Sequence, residues 1–502
     1  MSGSRTTLTV TALVLACALL LASCKGIYPA ASSPAESTAP AKGAPLIEVL
    51  VAGSELPDAQ DDDIKHQLDS VLGIDLHILQ CLGDACRNQL NIRLAEGNPP
   101  DLFYVDRRTL TKLVKQDALL DLSPYVDLLK PAIDFAGGGN PTITQYNGKQ
   151  YGIARNNTAF QYTYWARKDW LDRLGLQPPG NLEELKTVAK AMTAGDPDGN
   201  GIQDTYGFSG APYLALGPIF GAFGTTYPGH FYQKNGALMN SLYDPNMKPA
   251  ISYIQSLIQA GAVDPDFLSN MKNQHEMKAF QGQIGLFYYN WPNIINDNKV
   301  KEWKPYNPAA EWIQLPSPSG PGGTYTDFYD PGATNMLVMS GALARNPAKL
   351  DKIIKLINYV SSPEGNRLVM YGLEGKHYAM RNGSITPTDS MSDVKYAYLY
   401  QLTGRDEMVY LRTKFPKQEP YFTYAMNQPR LEVLDSFIDP PADYVPDEAN
   451  RYITEELYKF IYGKRDLATY DEFLRTLEND YHYKQYLEAA EEQLKEQGLL
   501  SP

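Results

Sequence analysis

Between residues 46 and 154 short apolar runs alternate with longer amphipathic ones. LIEVLVAG (Leu46 to Gly53), IDLHIL (Ile74 to Leu79), DLFYV (Asp101 to Val105) and QYGIA (Gln150 to Ala154) have the length and punctuation of strands. Asp61, Asp62 and Asp63 open a helix after the first of them, where the helix dipole favours carboxylates. A second helix precedes DLFYV and a third lies in TLTKLVKQDALLDL. Strands spaced by helices predict an α/β lobe built on a mostly parallel sheet.

Beyond residue 160 the helical period takes over. In YTYWARKDWLDRLGLQPPGNLEELKTVAKAM, Asp169 is placed to cap one helix that Gly175 ends, and Asn181 with Glu184 forms a capping-box start for the next. Leu182, Leu185, Val188, Ala189 and Met192 share one face of that second helix. Arg167 and Lys168 read as solvated charges beside the first cap. Leu350, Ile353, Ile354, Ile357 and Val360 mark another apolar face, Ser362-Pro363 starts the helix after it, and the C-terminal region is a string of helices ending in YLEAAEEQLKE. The length suits two or more lobes without an internal repeat.

The first 23 residues do not join this pattern. One basic residue, Arg5, precedes an apolar run from Leu8 to Leu21, too short for a membrane span and typical of a secretory signal. Its ending, Leu21-Ala22-Ser23-Cys24, resembles the bacterial lipobox, which implies cleavage before Cys24 and acylation of its thiol and new amine, a firm anchor when two or three chains are attached. Residues 24–45, rich in Ala, Ser and Pro, read as a disordered tether. The full chain carries a net charge of -13, and removal of Arg5 takes it to -14, which argues against a nucleic-acid partner because phosphate binding needs a basic face. Of four cysteines, Cys81 and Cys86 lie outside the signal, close enough for a small disulfide loop that an exported protein permits.

One loop has metal-ligand spacing. In DPDGNGIQDTYGF, Asp196, Asp198, Asn200, the Ile202 carbonyl and Asp204 stand at positions one, three, five, seven and nine of an EF-hand-like loop, with Gly201 at the turning sixth. Hard oxygens at alternate positions suit Ca²⁺, although position twelve is Gly207 where a bidentate Glu belongs. A polar Asx-type turn is the competing reading.

Several segments together resemble the family 1 extracellular solute-binding lipoproteins of the Paenibacillus and Bacillus type: AEGNPPDLFYV, YNGKQYGIAR, ARKDWLDRLGL with PPGNLEEL, DPDGNGIQDTYGF, IGLFYYNWPN and INYVSSPEGNRLVMYGLEGKHY, in the family's order from about residue 46 onward. The resemblance implies a two-lobed, type II periplasmic-binding-protein-like α/β clamp with mixed, mostly parallel sheets. Lobe 1 would take residues 46–155 and 330–380, and lobe 2 residues 156–329 and 381–502. It also implies a monomer that captures a carbohydrate, commonly an oligosaccharide, in the interlobe cleft and delivers it to an ABC permease, with closure of the lobes on the ligand.

Within that frame Trp291 is the leading sugar platform and Tyr289 the second, because IGLFYYNWPN ends a strand in aromatic residues, where open α/β sheets place ligands. Arg155, Asn156 and Tyr162 fall at the first expected crossing between lobes, and Tyr329 and Asp330 at the second; Asp106 follows DLFYV. Family members often carry proline where Arg155 stands, so this arginine either meets an acidic sugar or is a surface charge. The 35 tyrosines fit sugar stacking. Relatives also tend to carry an acid where this chain has Thr205, so Ca²⁺ would draw on water, Thr205 or a remote carboxylate.

Other functions stay open at this stage. A secreted glycoside hydrolase or lyase would need paired carboxylates that meet only in the fold, while a calcium-binding surface adhesin would need no cleft. No HExxH, GxSxG or phosphate-loop pattern occurs. A peptide or other non-sugar ligand is a further alternative to carbohydrate.

Overall fold

The computed structural model describes residues 43–137, 141–155, 160–270, 273–333 and 335–500. The signal segment, Cys24, most of the tether and Asn156 lie outside them. In chain order the principal strands are β1 (Leu46–Ala52), β2 (Asp75–Cys81), β3 (Leu102–Val105), β4 (Gly152–Ile153), β5 (Tyr162–Arg167), β6 (Tyr206–Ser209), β7 (Ile284–Asn290), β8 (Trp312–Leu315), β9 (Asp327–Tyr329), β10 (Met336–Met339) and β11 (Arg430–Glu432). They form two large sheets, β2-β1-β3-β10-β4 and β8-β5-β7-β6, and a small β9-β11 pair.

The two-lobed α/β class holds, but parallel pairing does not dominate. β1 pairs parallel with β2 and β3, and β7 with β6; β10 runs antiparallel to β3 and β4, and β5 antiparallel to β7 and β8. Helical crossovers return the chain in the same direction and give parallel neighbours. A strand arriving from the other lobe enters at the end where its neighbours leave, so β10 opposes β4 and β5 opposes β7.

Side-chain alternation sends each sheet into two cores. In β10, Leu337 and Met339 join a first-lobe cluster with Ile47, Val49 and Ile353, while Met336 and Val338 face a second cluster. In β7, Leu286 and Tyr288 face that same second cluster, and Phe287 and Tyr289 a third. The second cluster runs unbroken from Phe103 and Leu113 in the first lobe to Phe437 and the C-terminal helices Pro446–Ile461, Tyr470–Asp480 and Tyr483–Glu496.

Leu399, Tyr400 and Leu402 are buried in the first-lobe core, so that lobe extends to about residue 402 and not 380. The Tyr400 hydroxyl donates to the buried carboxylate of Asp62. From Leu402 the chain passes to Leu411, in the third cluster, making a third crossing beside those that follow β4 and precede β10.

Several local readings hold. Asn181 accepts from the Glu184 amide while the Glu184 carboxylate accepts from the Gly180 amide, a capping pair displaced by one residue. Gly175 ends its helix at φ 64°, and Ser362 caps the helix that begins at Pro363. Cys81 and Cys86 are joined, with Cα atoms 5.0 Å apart. Arg167, however, is no solvated charge. It is buried, ion-paired to Asp169 and set over the Trp170 ring, so Asp169 serves this pair and the Glu311 amide and caps no helix.

The placement of Trp291 overturns its reading as a sugar platform. Asn290 caps the short helix Trp291–Ile295, accepting from the Asn293 amide at 3.0 Å, and turns the indole beneath the end of β7. The ring is 2% exposed and packs on Phe422 and Phe415, which the third crossing delivers. Tyr289 is also buried, stacked on Phe287, with its hydroxyl accepting from Asn293.

Trp291→Ala is therefore expected to lower unfolding free energy in urea by about 3–5 kcal/mol, the usual loss for a large buried ring, while the folded fraction keeps its ligand affinity. Tyr400→Phe is expected to cost about 1–3 kcal/mol by leaving one oxygen of the buried Asp62 carboxylate without its donor, the other keeping the Lys65 amide. An unchanged urea midpoint for Tyr400→Phe would remove residues 389–402 from the first-lobe core.

Candidate functional site

Beyond β6 the chain turns through a strained residue. Tyr213 has φ 60° and ψ -51°, and the Leu214 amide donates to the Pro212 carbonyl at 2.7 Å across it, a tight three-residue turn. A non-glycine residue in this region costs about 1–3 kcal/mol and persists only where its surroundings dictate it. Here the ring stacks on Tyr458 at 5.1 Å and its hydroxyl donates to the Thr454 carbonyl. The strain thus places an aromatic face at the carboxyl end of a sheet strand, where open α/β folds bind ligands.

That face lines a cavity of about 490 Å³. Tyr227, Phe328, Tyr444, Tyr483 and Tyr486 supply further aromatic walls, with Tyr444 and Tyr486 stacked at 4.4 Å and 8°. Arg108, at the start of the helix Arg107–Lys115, is the first lobe's contribution, and its guanidinium donates to the Asp435 carbonyl at 3.2 Å. Apolar walls with a few convergent polar groups are the usual composition of a small-molecule site.

His230 and Asp435 are the ionisable pair inside, 3.0 Å apart. Burial opposes protonation of the imidazole, but the Asp435 carboxylate outweighs it and holds the pKa of His230 above its ordinary value. Asp435 also accepts from the Phe231 amide. Of the lining residues, Asp435 alone is a carboxylate, so the cavity wall lacks the carboxylate pair that glycoside hydrolysis uses. Behind the wall, in β9, burial pushes the Asp327 carboxyl up to about 6, with the Tyr288 hydroxyl donating to it.

None of the described residues read from the sequence lies on this cavity's wall. Asp106 caps the helix Arg107–Lys115 through the Thr109 amide, two positions before Arg108. Tyr329 packs edge-on to Phe160, next to the lining residue Phe328. Asp330 accepts from the Gly332 amide and from the amide and hydroxyl of Ser436, tying the second crossing to the chain after β11. Burial raises its pKa despite those hydrogen bonds. Tyr162 packs against Tyr288 and Tyr289. Arg155 stacks on Tyr104 and donates to the Gln401 carbonyl, lining a different cavity. Tyr213 was open to the rule applied to Trp291, since SGAPYL also ends a strand in an aromatic residue; Tyr444, just before the helix Pro446–Ile461, and Tyr486, in the helix Tyr483–Glu496, come from a segment whose docking carries no local signal.

The loop from Asp196 to Asp204 closes on itself. Asp196 accepts from the amides of Asn200 and Gly201, and the Asn200 side-chain amide reaches Asp198 at 2.8 Å and Asp204 at 3.4 Å. Burial, then the neighbouring Asp196 and Asp204, raise the Asp198 pKa. The donors are the hard oxygens that Ca²⁺ takes, and an amide N–H stands where a cation would offset their charge. Among the described residues, though, no three His, Cys, Asp or Glu side chains converge on one point. The absent Glu has a cause: a Cβ at Gly207 would stand 1.8 Å from the Ala189 carbonyl oxygen. The Thr205 hydroxyl is buried and donates to the Met192 carbonyl, tying the end of the loop to the helix Leu182–Ala194.

Comparison with known proteins agrees with this architecture. A profile for bacterial extracellular solute-binding proteins matches residues 83–367. The chain is 24% identical to the polygalacturonan/rhamnogalacturonan-binding protein YtcQ of Bacillus subtilis (strain 168), over 98% of this chain and 99% of that one. Its fold is similar to that of the Streptococcus pneumoniae ABC-transporter substrate-binding protein FusA in complex with kestose, with TM-score 0.67, 17% identity, and 90% and 99% of the two chains covered. It is likewise similar to the alginate-binding protein AlgQ2, with TM-score 0.66, 17% identity, and 90% and 98% covered. The chain belongs to the bacterial extracellular solute-binding protein family.

Proposed function

We propose that the protein binds an oligosaccharide in the cavity around Tyr213 and delivers it to the membrane subunits of an ABC importer. The observation that carries this reading is the strained Tyr213 in an aromatic cavity, because sugar rings offer C–H faces to aromatic planes while their hydroxyls seek the few polar groups present. YtcQ, FusA with kestose and AlgQ2 are each named for a carbohydrate, which supports the ligand class. A wall with one carboxylate favours binding without turnover over hydrolysis. On this reading Arg108, at the cavity edge, is the contact through which the first lobe senses ligand, and the three crossings are the segments on which the lobes close.

The protein acts as a monomer held at the extracellular face of the cell membrane through acylated Cys24, with the tether as spacer. Ca²⁺ is a structural ion of the loop, held by Asp196, Asp198, Asn200, the Ile202 carbonyl and Asp204 with water completing its shell. It braces the junction between the helix Leu182–Ala194 and β6 without touching the sugar.

A thermal-shift screen against neutral and uronic oligosaccharides is expected to find at least one that raises the melting temperature, since a ligand of the native state alone stabilises it. Tyr213→Ala is expected to weaken that ligand at least about tenfold, the loss of one stacking face, with the fold intact; full affinity in this variant would contradict the site. Millimolar Ca²⁺ added after chelation is expected to raise the melting temperature, and Asp196→Ala to abolish the rise. No shift in the native protein would leave the loop a polar turn.

A further inference from the structure

A second cavity at the lobe junction, about 460 Å³, has a different chemistry. Four cationic side chains, Arg155, Lys395, Arg405 and Lys414, line it with a single carboxylate, Glu407, in a chain whose net charge is -13. Two of the cations are already compensated: Arg405 forms a two-pronged pair with Glu407, and Lys395 pairs with Glu55. The other two are not. Among the described residues Lys414 makes no hydrogen bond or ion pair, and its ammonium stands 4.8 Å from the centre of the Tyr410 ring. Among the described residues Arg155 has no carboxylate partner; its guanidinium donates to the Gln401 carbonyl and lies 4.8 Å from the Tyr104 ring centre, and its buried Nε has no hydrogen-bond partner there.

Half-buried cations without counter-charges are costly unless an anion reaches them, because solvent screens them less than it screens surface charges. The arrangement is also held in place. The Arg405 guanidinium lies 3.4 Å from the centre of the Tyr410 ring, so Arg405 and Lys414 share one aromatic plane, and Tyr398, also on the wall, is fixed by hydrogen bonds to the backbone of Ser54. The wall combines the end of the first crossing, the first-lobe segment before residue 402 and the helix Glu407–Lys414 after the third crossing.

We propose that this cavity is a carboxylate-binding site, in which Lys414 and Arg155 hold the uronic carboxylate of an acidic sugar. The assignment rests on the carbohydrate reading of the protein and adds the charge of the ligand. A guanidinium and an ammonium on one wall offer a carboxylate charge-assisted hydrogen bonds to both oxygens.

Trigalacturonate and its fully methyl-esterified form differ in charge and share the sugar backbone, so calorimetry with both isolates this site. The acid is expected to bind the native protein at least about tenfold more tightly than the ester, the worth of one charge-assisted hydrogen bond, with the advantage shrinking as salt rises. Lys414→Gln is expected to remove most of that advantage and leave ester binding unchanged, and Lys414→Arg to restore it. Arg155→Gln provides a second test should the first variant fold poorly. Equal affinity for acid and ester, or an advantage that survives both glutamine variants, overturns the carboxylate site and leaves the carbohydrate reading standing. A response to inorganic phosphate that needs Lys414, without preference for the acid, marks a free-anion site and overturns the sugar assignment. Binding of neither trigalacturonide overturns the uronic assignment, and silence across the wider oligosaccharide screen counts against the carbohydrate reading itself.

Discussion

The passage of the chain between lobes is the constraint from which the rest follows. Three connections, from β4 to β5, from β9 to β10 and from Leu402 to Leu411, join the cores, and β5 and β10 are interior strands of the two large sheets. β4 leaves the first sheet where β10 enters it, and β5 enters the second where β7 ends. This forces antiparallel neighbours into sheets that helical crossovers would otherwise make parallel. It also gathers strand ends, turns and crossings at one junction, the place where a fold of this kind exposes side chains that its own cores do not need.

What fills that junction differs from side to side. On one, the C-terminal segment brings Tyr444, Tyr458 and Tyr486 against a turn in which Tyr213 is held at positive φ, and the walls are mainly aromatic. On the other, the third crossing brings Arg405 and Lys414 beside Arg155, and the walls are cationic. Asp330, bonded to Ser436, and Tyr329, paired with Glu432 in the β9-β11 ladder, bind the second crossing to the chain that leads into the C-terminal helices. Movement of the lobes would therefore alter the aromatic cavity directly.

Much of the fold was legible because it depends on local chemistry. The apolar face of Leu182, Leu185, Val188, Ala189 and Met192, the Asn181 cap, the Gly175 stop and the Cys81–Cys86 loop each rest on a few consecutive residues. The site was less legible, and Trp291 shows why. Its position at the end of β7 was read correctly, but exposure there depends on Phe415 and Phe422, more than 120 positions away, and nothing near residue 291 announces them. Arg167 failed similarly, since its burial requires Trp170 and Trp312 to close over it from separate elements. The loop from Asp196 was readable in spacing, whereas the reason for glycine at 207 is the backbone of Ala189, which only packing reveals.

Hydrogen exchange followed by mass spectrometry, with and without the oligosaccharide that gives the largest thermal shift, tests the placement of the ligand most directly. The aromatic-cavity account predicts slowed exchange in residues 211–230 and 435–457, together with the segment around Arg108. Protection concentrated in residues 284–296 around Trp291, with 211–230 and 435–457 unchanged, would contradict it.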